Sequence, residues 1–150
     1  MTAVLFISAI LLPLLSHCSS EISVPVISGR SYTLQLEYQN ADGTNSKKAE
    51  GIKRQLFDET GGKWQYFWFC GGAKKTCGKW VDEKNKTIPS GPKVTKTSEG
   101  AVISNMQIRD AGKYARLPED PNALTAELQQ VGVYVQDGPT TAAPGKVYKY

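Results

Sequence analysis

The sequence predicts an all-β domain, a sandwich or a barrel, and three observations carry that expectation. Residues 31–38 alternate apolar and polar side chains without a break, the two-residue period of a half-buried strand. Short β-favouring runs then recur down the chain, separated by turn-forming residues. No segment between them carries a strong helical period.

Taken in order, residues 31–38 place Tyr32, Leu34, Leu36 and Tyr38 on one face and Ser31, Thr33, Gln35 and Glu37 on the other. Residues 39–62 are polar and carry glycines. Their weak apolar patch at Ile52, Leu56 and Phe57 would make one helical turn at most, so the segment is expected to be a long loop. Residues 64–70 form the most apolar stretch after residue 20. Trp64, Tyr66, Trp68 and Cys70 share one face, with Phe67 and Phe69 on the other, so both faces are apolar. Gly71, Gly72, Lys74 and Lys75 read as a turn and residues 77–81 as a returning strand, which sets Cys70 and Cys77 at the ends of one hairpin. Further strands are expected at 93–97, 101–108, 113–117 and 128–136. Residues 137–150, with two prolines, two glycines, Thr140 and Thr141, read as a disordered tail.

Residues 1–20 contain no Lys, Arg, Asp or Glu, and residues 4–15 are almost unbroken apolar sequence interrupted by Ser8 and Pro13. Such a run is too short to span a bilayer and is expected to be a secretory signal peptide, cleaved after Cys18 or Ser20. Cleavage removes His17, the one histidine, and Cys18, one of three cysteines. Without histidine, Ser-His and Cys-His nucleophile pairs, imidazole bases and His-containing zinc or copper sites are excluded. Carboxylate pairs remain, such as Asp58 with Glu59 or Asp82 with Glu83. Adjacent residues on a strand face opposite ways, which makes them poor partners for glycoside hydrolysis. No enzymatic activity, metal or cofactor is expected.

The net charge of +4 is uneven: between residues 70 and 96 seven lysines face two acids, a local +5. A solvated, aggregation-resistant edge accounts for such a run, and so does an anionic partner.

Asp110-Ala111-Gly112-Lys113-Tyr114 resembles the Asp-x-Gly-x-Tyr corner that opens strand F of immunoglobulin domains. Ala101, Ile103, Met106 and Ile108 precede it at that family's apolar spacing, and residues 29–36 resemble strand B. The resemblance implies an immunoglobulin-like antiparallel β-sandwich of Greek-key topology over residues 21–136, a single variable-type domain. It implies that Tyr114 is a buried corner residue whose hydroxyl bonds upstream backbone, with Asp110 and Gly112 as its structural companions. Where the family has its inter-sheet cysteines, this sequence has Leu36 and Arg116, so the usual disulfide between strands B and F is missing. Arg116 at an inward position must bend the strand, find an acid or reach the surface. Residue chemistry alone leaves Cys70 and Cys77 open to a disulfide, a thiolate metal pair or a redox pair. The resemblance, to the bond between strands C and C′ in the polymeric immunoglobulin receptor and its myeloid relatives, implies the disulfide, with Trp68 or Phe69 in the core.

Asn85-Lys86-Thr87 is an N-glycosylation acceptor in a polar turn. Together these features predict a secreted, extracellular recognition module that binds an extracellular protein or cell-surface receptor. Binding is expected either at the loops of one end of the sandwich, above all the 117–127 loop, or at a sheet face with Phe67, Phe69, Lys74, Lys75 and Lys79, core packing being the alternative for the two phenylalanines. The alternative is a sulfated glycan or other anionic surface held by the lysines from Lys74 to Lys96; nucleic acid and a membrane span are not expected. N-terminal sequencing of the secreted protein is expected to begin at Ser19 or Glu21, and a thiol assay under non-reducing conditions to find no free cysteine. Recovery of Met1, or two reactive thiols, contradicts this.

Overall fold

The computed structural model describes residues 22–40, 42–58, 62–71, 76–119 and 130–138. The expected leader, most of the 117–127 loop, the tail beyond residue 138, and Lys74 and Lys75 lie outside these residues. Among the described residues nine strands are formed: β1 (Ile22–Ile27), β2 (Tyr32–Leu34), β3 (Gly51–Leu56), β4 (Gln65–Trp68), β5 (Trp80–Val81), β6 (Lys93–Lys96), β7 (Ala101–Ser104), β8 (Gly112–Leu117) and β9 (Gln130–Gln136). Among the described residues there is no α-helix, only a 3₁₀ turn at Ile108–Asp110.

The strands make a two-sheet sandwich. One sheet has six strands in the order β1-β9-β8-β3-β4-β5, and the other has three in the order β2-β7-β6. Neighbours are antiparallel except β1, which runs parallel to β9. Alternation sends Leu34, Val94, Ala101 and Ile103 from the smaller sheet, and Ile52, Phe67, Tyr114, Val133 and Val135 from the larger one, into a shared core. Leu36 and Met106, just beyond their strands, close it.

Two strands depart from the sequence reading. Residues 51–56, expected to be loop, form β3, paired with β4 on one side and β8 on the other. Its pattern, Gly-Ile-Lys-Arg-Gln-Leu, hides the period because an inward position is held by Arg54 instead of an apolar residue. β1 carries Pro25, which reads against a strand but is tolerated at the edge of a sheet, where the missing N–H breaks no ladder. The expected strands at 31–38 and 101–108 are shorter, ending at Leu34 and Ser104, although Leu36 and Met106 remain buried. The Cys70–Cys77 disulfide closes the turn between β4 and β5, at the ends of one hairpin as the sequence predicts. Closing so small a loop stabilises by about 2–3 kcal/mol, mainly through the unfolded chain.

The segment before β8 is organised by Asp110 and Tyr114. The Tyr114 hydroxyl donates to the Asp110 carbonyl at 2.6 Å, and the Asp110 carboxylate accepts the Gln107 N–H at 3.0 Å. Gly112 is required because a Cβ there would run into the Gln55 carbonyl oxygen of β3. Burial pushes the Tyr114 phenol up to about 12, with the Arg54 guanidinium pulling the other way. The folded state therefore holds this proton after the unfolded chain has released it near 10. Stability from the neutral phenol is whole below pH 10 and is lost as pH rises toward about 12, by at most roughly 1.4 kcal/mol per pH unit. Tyr114→Phe should cost about 1 kcal/mol at pH 7 and flatten that alkaline decline. Denaturant midpoints measured from pH 7 to 11 check both effects, and superimposable curves for the two proteins contradict them.

Candidate functional site

The larger sheet presents its outer face through β3 and β4, and a buried network below sets which side chains point outward. Arg54, 2% exposed, donates from Nη1 to Asp110 Oδ1 at 2.8 Å and from Nε to Gln65 Oε1 at 2.8 Å. Its guanidinium carbon lies 4.4 Å from the Trp80 ring centroid. One side chain thus ties β3 to β4, to β5 and to the turn that leads into β8. With Ile52 and Arg54 inward, Lys53 and Gln55 face out. With Gln65 and Phe67 inward, Trp64, Tyr66 and Trp68 face out.

On that outer face the Tyr66 and Trp68 rings lie parallel within 6°, their centroids 6.5 Å apart. Lys53, opposite Tyr66 in the register, sits 4.1 Å over the Trp64 ring and 2.7 Å from Glu119 Oε1. Glu83 Oε1 accepts the backbone N–H of Trp64 at 3.3 Å. Tyr66 has its phenol raised above the ordinary value by partial burial, and then by the negative charges of Glu83 and Glu119. Further down the same face Phe57 and Tyr134, both exposed, pack with centroids 4.9 Å apart. Trp64, Tyr66 and Trp68 are half-buried, so each shows part of its ring to solvent while its base is fixed by neighbours.

Of the contacts expected from the sequence, Phe67, Phe69 and Lys79 lie among the described residues, away from this row. Phe67, 6% exposed, is a core residue, edge-on to Trp80 at 5.5 Å, which withdraws its ring from any partner. Phe69 is half-buried against the core beneath the Lys96 ammonium at 5.1 Å. Trp68 is on the outer face, whereas Phe69 packs against the core from its margin, and Phe67 and Trp80 lie within it. The parity of 64–70 could not be fixed from sequence because both of its faces are aromatic. Gln65, the polar partner of a buried arginine, was the signal that the even positions face out. Lys79 is exposed on the rim of a groove of about 520 Å³ floored by Trp80, Ile88, Pro92 and Val94, with Lys93 on the opposite strand. Asn85 is exposed in a turn where Asp82 Oδ1 accepts the N–H groups of Lys84 and Lys86, at 2.9 and 2.8 Å.

Among the described residues no three His, Cys, Asp or Glu side chains gather as a metal site, and no helix is long and apolar enough to cross a membrane. Compared with protein-family models, curated proteins and solved structures, the chain matches none of them.

Because Arg54 joins four elements beneath the face, Arg54→Met should destabilise the protein by about 3–5 kcal/mol, leaving Asp110 buried and unpaired. Arg54→Met with Asp110→Leu should recover part of that loss. A double-mutant cycle from urea denaturation measures it, and additive losses would show that the pair is not coupled.

Proposed function

We propose that this protein is a secreted immunoglobulin-like recognition module of variable type, without catalytic activity, that binds an extracellular protein through the outer face of its larger sheet. The observation that carries the reading is the row of Trp64, Tyr66 and Trp68 beside the Lys53–Glu119 ion pair: large rigid aromatics with charged groups at their margin make the side-chain set that dominates protein interfaces. The family assignment is supported by strand order. β8, β3 and β9 take the places of strands F, C and G, β4 and β5 those of the two strands that variable-type domains add, and β2, β7 and β6 those of B, E and D. The Tyr114 hydroxyl bond to Asp110 supports it as well. On this reading the disulfide lies between C′ and C″, and Asn85, in the turn after C″, carries a glycan on the secretory route.

The second reading, an anionic surface such as a sulfated glycan, is favoured by the lysines at the groove, Lys79 and Lys93. Salt separates the two: binding through lysines collapses as ionic strength rises, whereas an aromatic-centred contact weakens little.

The test is to screen displayed extracellular proteins with the purified, glycosylated domain and titrate any binder against variants. Tyr66→Ala and Trp68→Ala are each expected to weaken binding by about 30-fold, equivalent to roughly 2 kcal/mol, with denaturation midpoints near that of the parent. A binder indifferent to both variants but abolished by Lys79→Gln would overturn the assignment of the face.

A further inference from the structure

The fold buries two arginines, each 2% exposed, and provides for them unequally. Arg54 has an acid, an amide oxygen and an aromatic face. Arg116 donates from Nη2 to the Lys47 carbonyl and lies 5.2 Å from the Tyr38 ring centroid, while its Nε and Nη1 are buried without a hydrogen-bond partner. Those two nitrogens carry three of the five guanidinium N–H donors. The hydroxyl of Tyr38 is likewise buried and unpartnered. The sequence requires this strand to bend or its guanidinium to find an acid or the surface; among the described residues the guanidinium neither pairs with an acid nor reaches the surface. The two ion pairs among them are Arg54–Asp110 and Lys53–Glu119.

The element over Arg116 is built and closed. The Tyr38 N–H donates to Ser46 Oγ at 3.1 Å, and the Ser46 N–H returns to the Tyr38 carbonyl at 2.8 Å. Gln39 bridges to Asn45, and Asn40 Nδ2 donates to Thr44 Oγ1 at 3.0 Å. The acid of this small hairpin, Asp42, is occupied: it accepts the hydroxyl and the N–H of Thr44, which hold its carboxyl below the ordinary range. Asn40 Oδ1, also unpartnered, is an acceptor and offers a cation's counterion nothing. Lys47 and Lys48, both exposed, add positive potential around the same segment. A guanidinium held in this way, with donors to spare and a phenol hydroxyl as a further donor, is chemically complementary to an oxyanion.

We propose that Arg116 and the Tyr38 hydroxyl form an interior oxyanion site beneath the 38–46 hairpin, at the loop end of β8, for a sulfate or carboxylate group. It is separate from the aromatic face and does not rest on that reading.

The test uses the full-length purified chain and inorganic sulfate, titrated at constant ionic strength against chloride. Sulfate raises the Tm of any folded protein gradually, through exclusion from its surface, and Arg116→Met measures that background. The parent is expected to show an additional saturable rise of about 3 °C or more, absent from Arg116→Met. Acetate, titrated in parallel, tells a preference for a carboxylate from one for sulfate. The ¹⁵N–¹H signal of Arg116 Nε should move along the same saturation curve while that of Arg54 Nε stays in place, a readout that needs no variant to fold. Parallel Tm slopes in parent and variant, or an Arg116 Nε signal unmoved by both anions, overturns the proposal.

Discussion

The ion pair between Arg54 and Asp110 is the constraint around which the larger sheet is arranged. Burying two opposite charges costs several kcal/mol of lost hydration per ion, and the Coulomb attraction offsets it only when the remaining donors and acceptors are also satisfied. Here they are: Asp110 accepts from Gln107 as well as Arg54, Arg54 also donates to Gln65, and the Trp80 ring covers the guanidinium. The Tyr114 hydroxyl fixes the backbone of the same aspartate. Satisfying one charge therefore determines the register of β3 on β4, the seat of Trp80 on β5 and the geometry from which β8 starts. An apolar core leaves more freedom, because hydrophobic contacts have no direction.

The same arrangement explains what could be read from sequence. β2, β4, β6, β7, β8 and β9 announce themselves through alternation or through β-branched and aromatic residues between turns. β3 was illegible because its inward positions hold Ile52 and Arg54, and a buried charge cannot be recognised until its partner, 56 residues away at Asp110, is placed beside it. The outward row of Trp64, Tyr66 and Trp68 was visible as a set. Its direction was not, since Phe67 and Phe69 offered an equally apolar alternative, and the amide of Gln65 has meaning only beside Arg54. Among the proposed contacts, lysines were the easiest to find and the hardest to assign, because charge shows in a sequence whereas proximity does not. Lys93 and Lys96 stand on the second sheet, and Lys84 and Lys86 in a turn.

The two outer faces of the sandwich differ in chemistry. The smaller sheet turns Thr33, Val102 and Thr95 outward in one row, with Lys93 and Ser104 in the next, a mostly polar surface. The larger one carries three indole or phenol rings beside an ion pair, and two more rings at its lower end. An aromatic that is half-buried and already packed loses little rotamer freedom when a partner covers it, so such a face binds at small entropic cost. The proposed recognition reading rests on this asymmetry.

The parallel pairing of β1 with β9 also sets an order in time. Ile22 lies opposite Val131 and Ile27 opposite Gln136, so the first described strand finds its neighbour only in the last. A chain emerging from the ribosome or a translocation pore can assemble β3 with β4 and β6 with β7 from nearby segments. Strand β1, however, stays unpaired until β9 has been made. Such long-range closure slows folding and prolongs the exposure of an unpaired β-segment, which is when misassembly between chains is most dangerous. Pro25, in the middle of that waiting strand, removes one of the N–H groups that a wrong neighbour would use, so the residue tolerated at the sheet edge also guards the chain before the sheet exists.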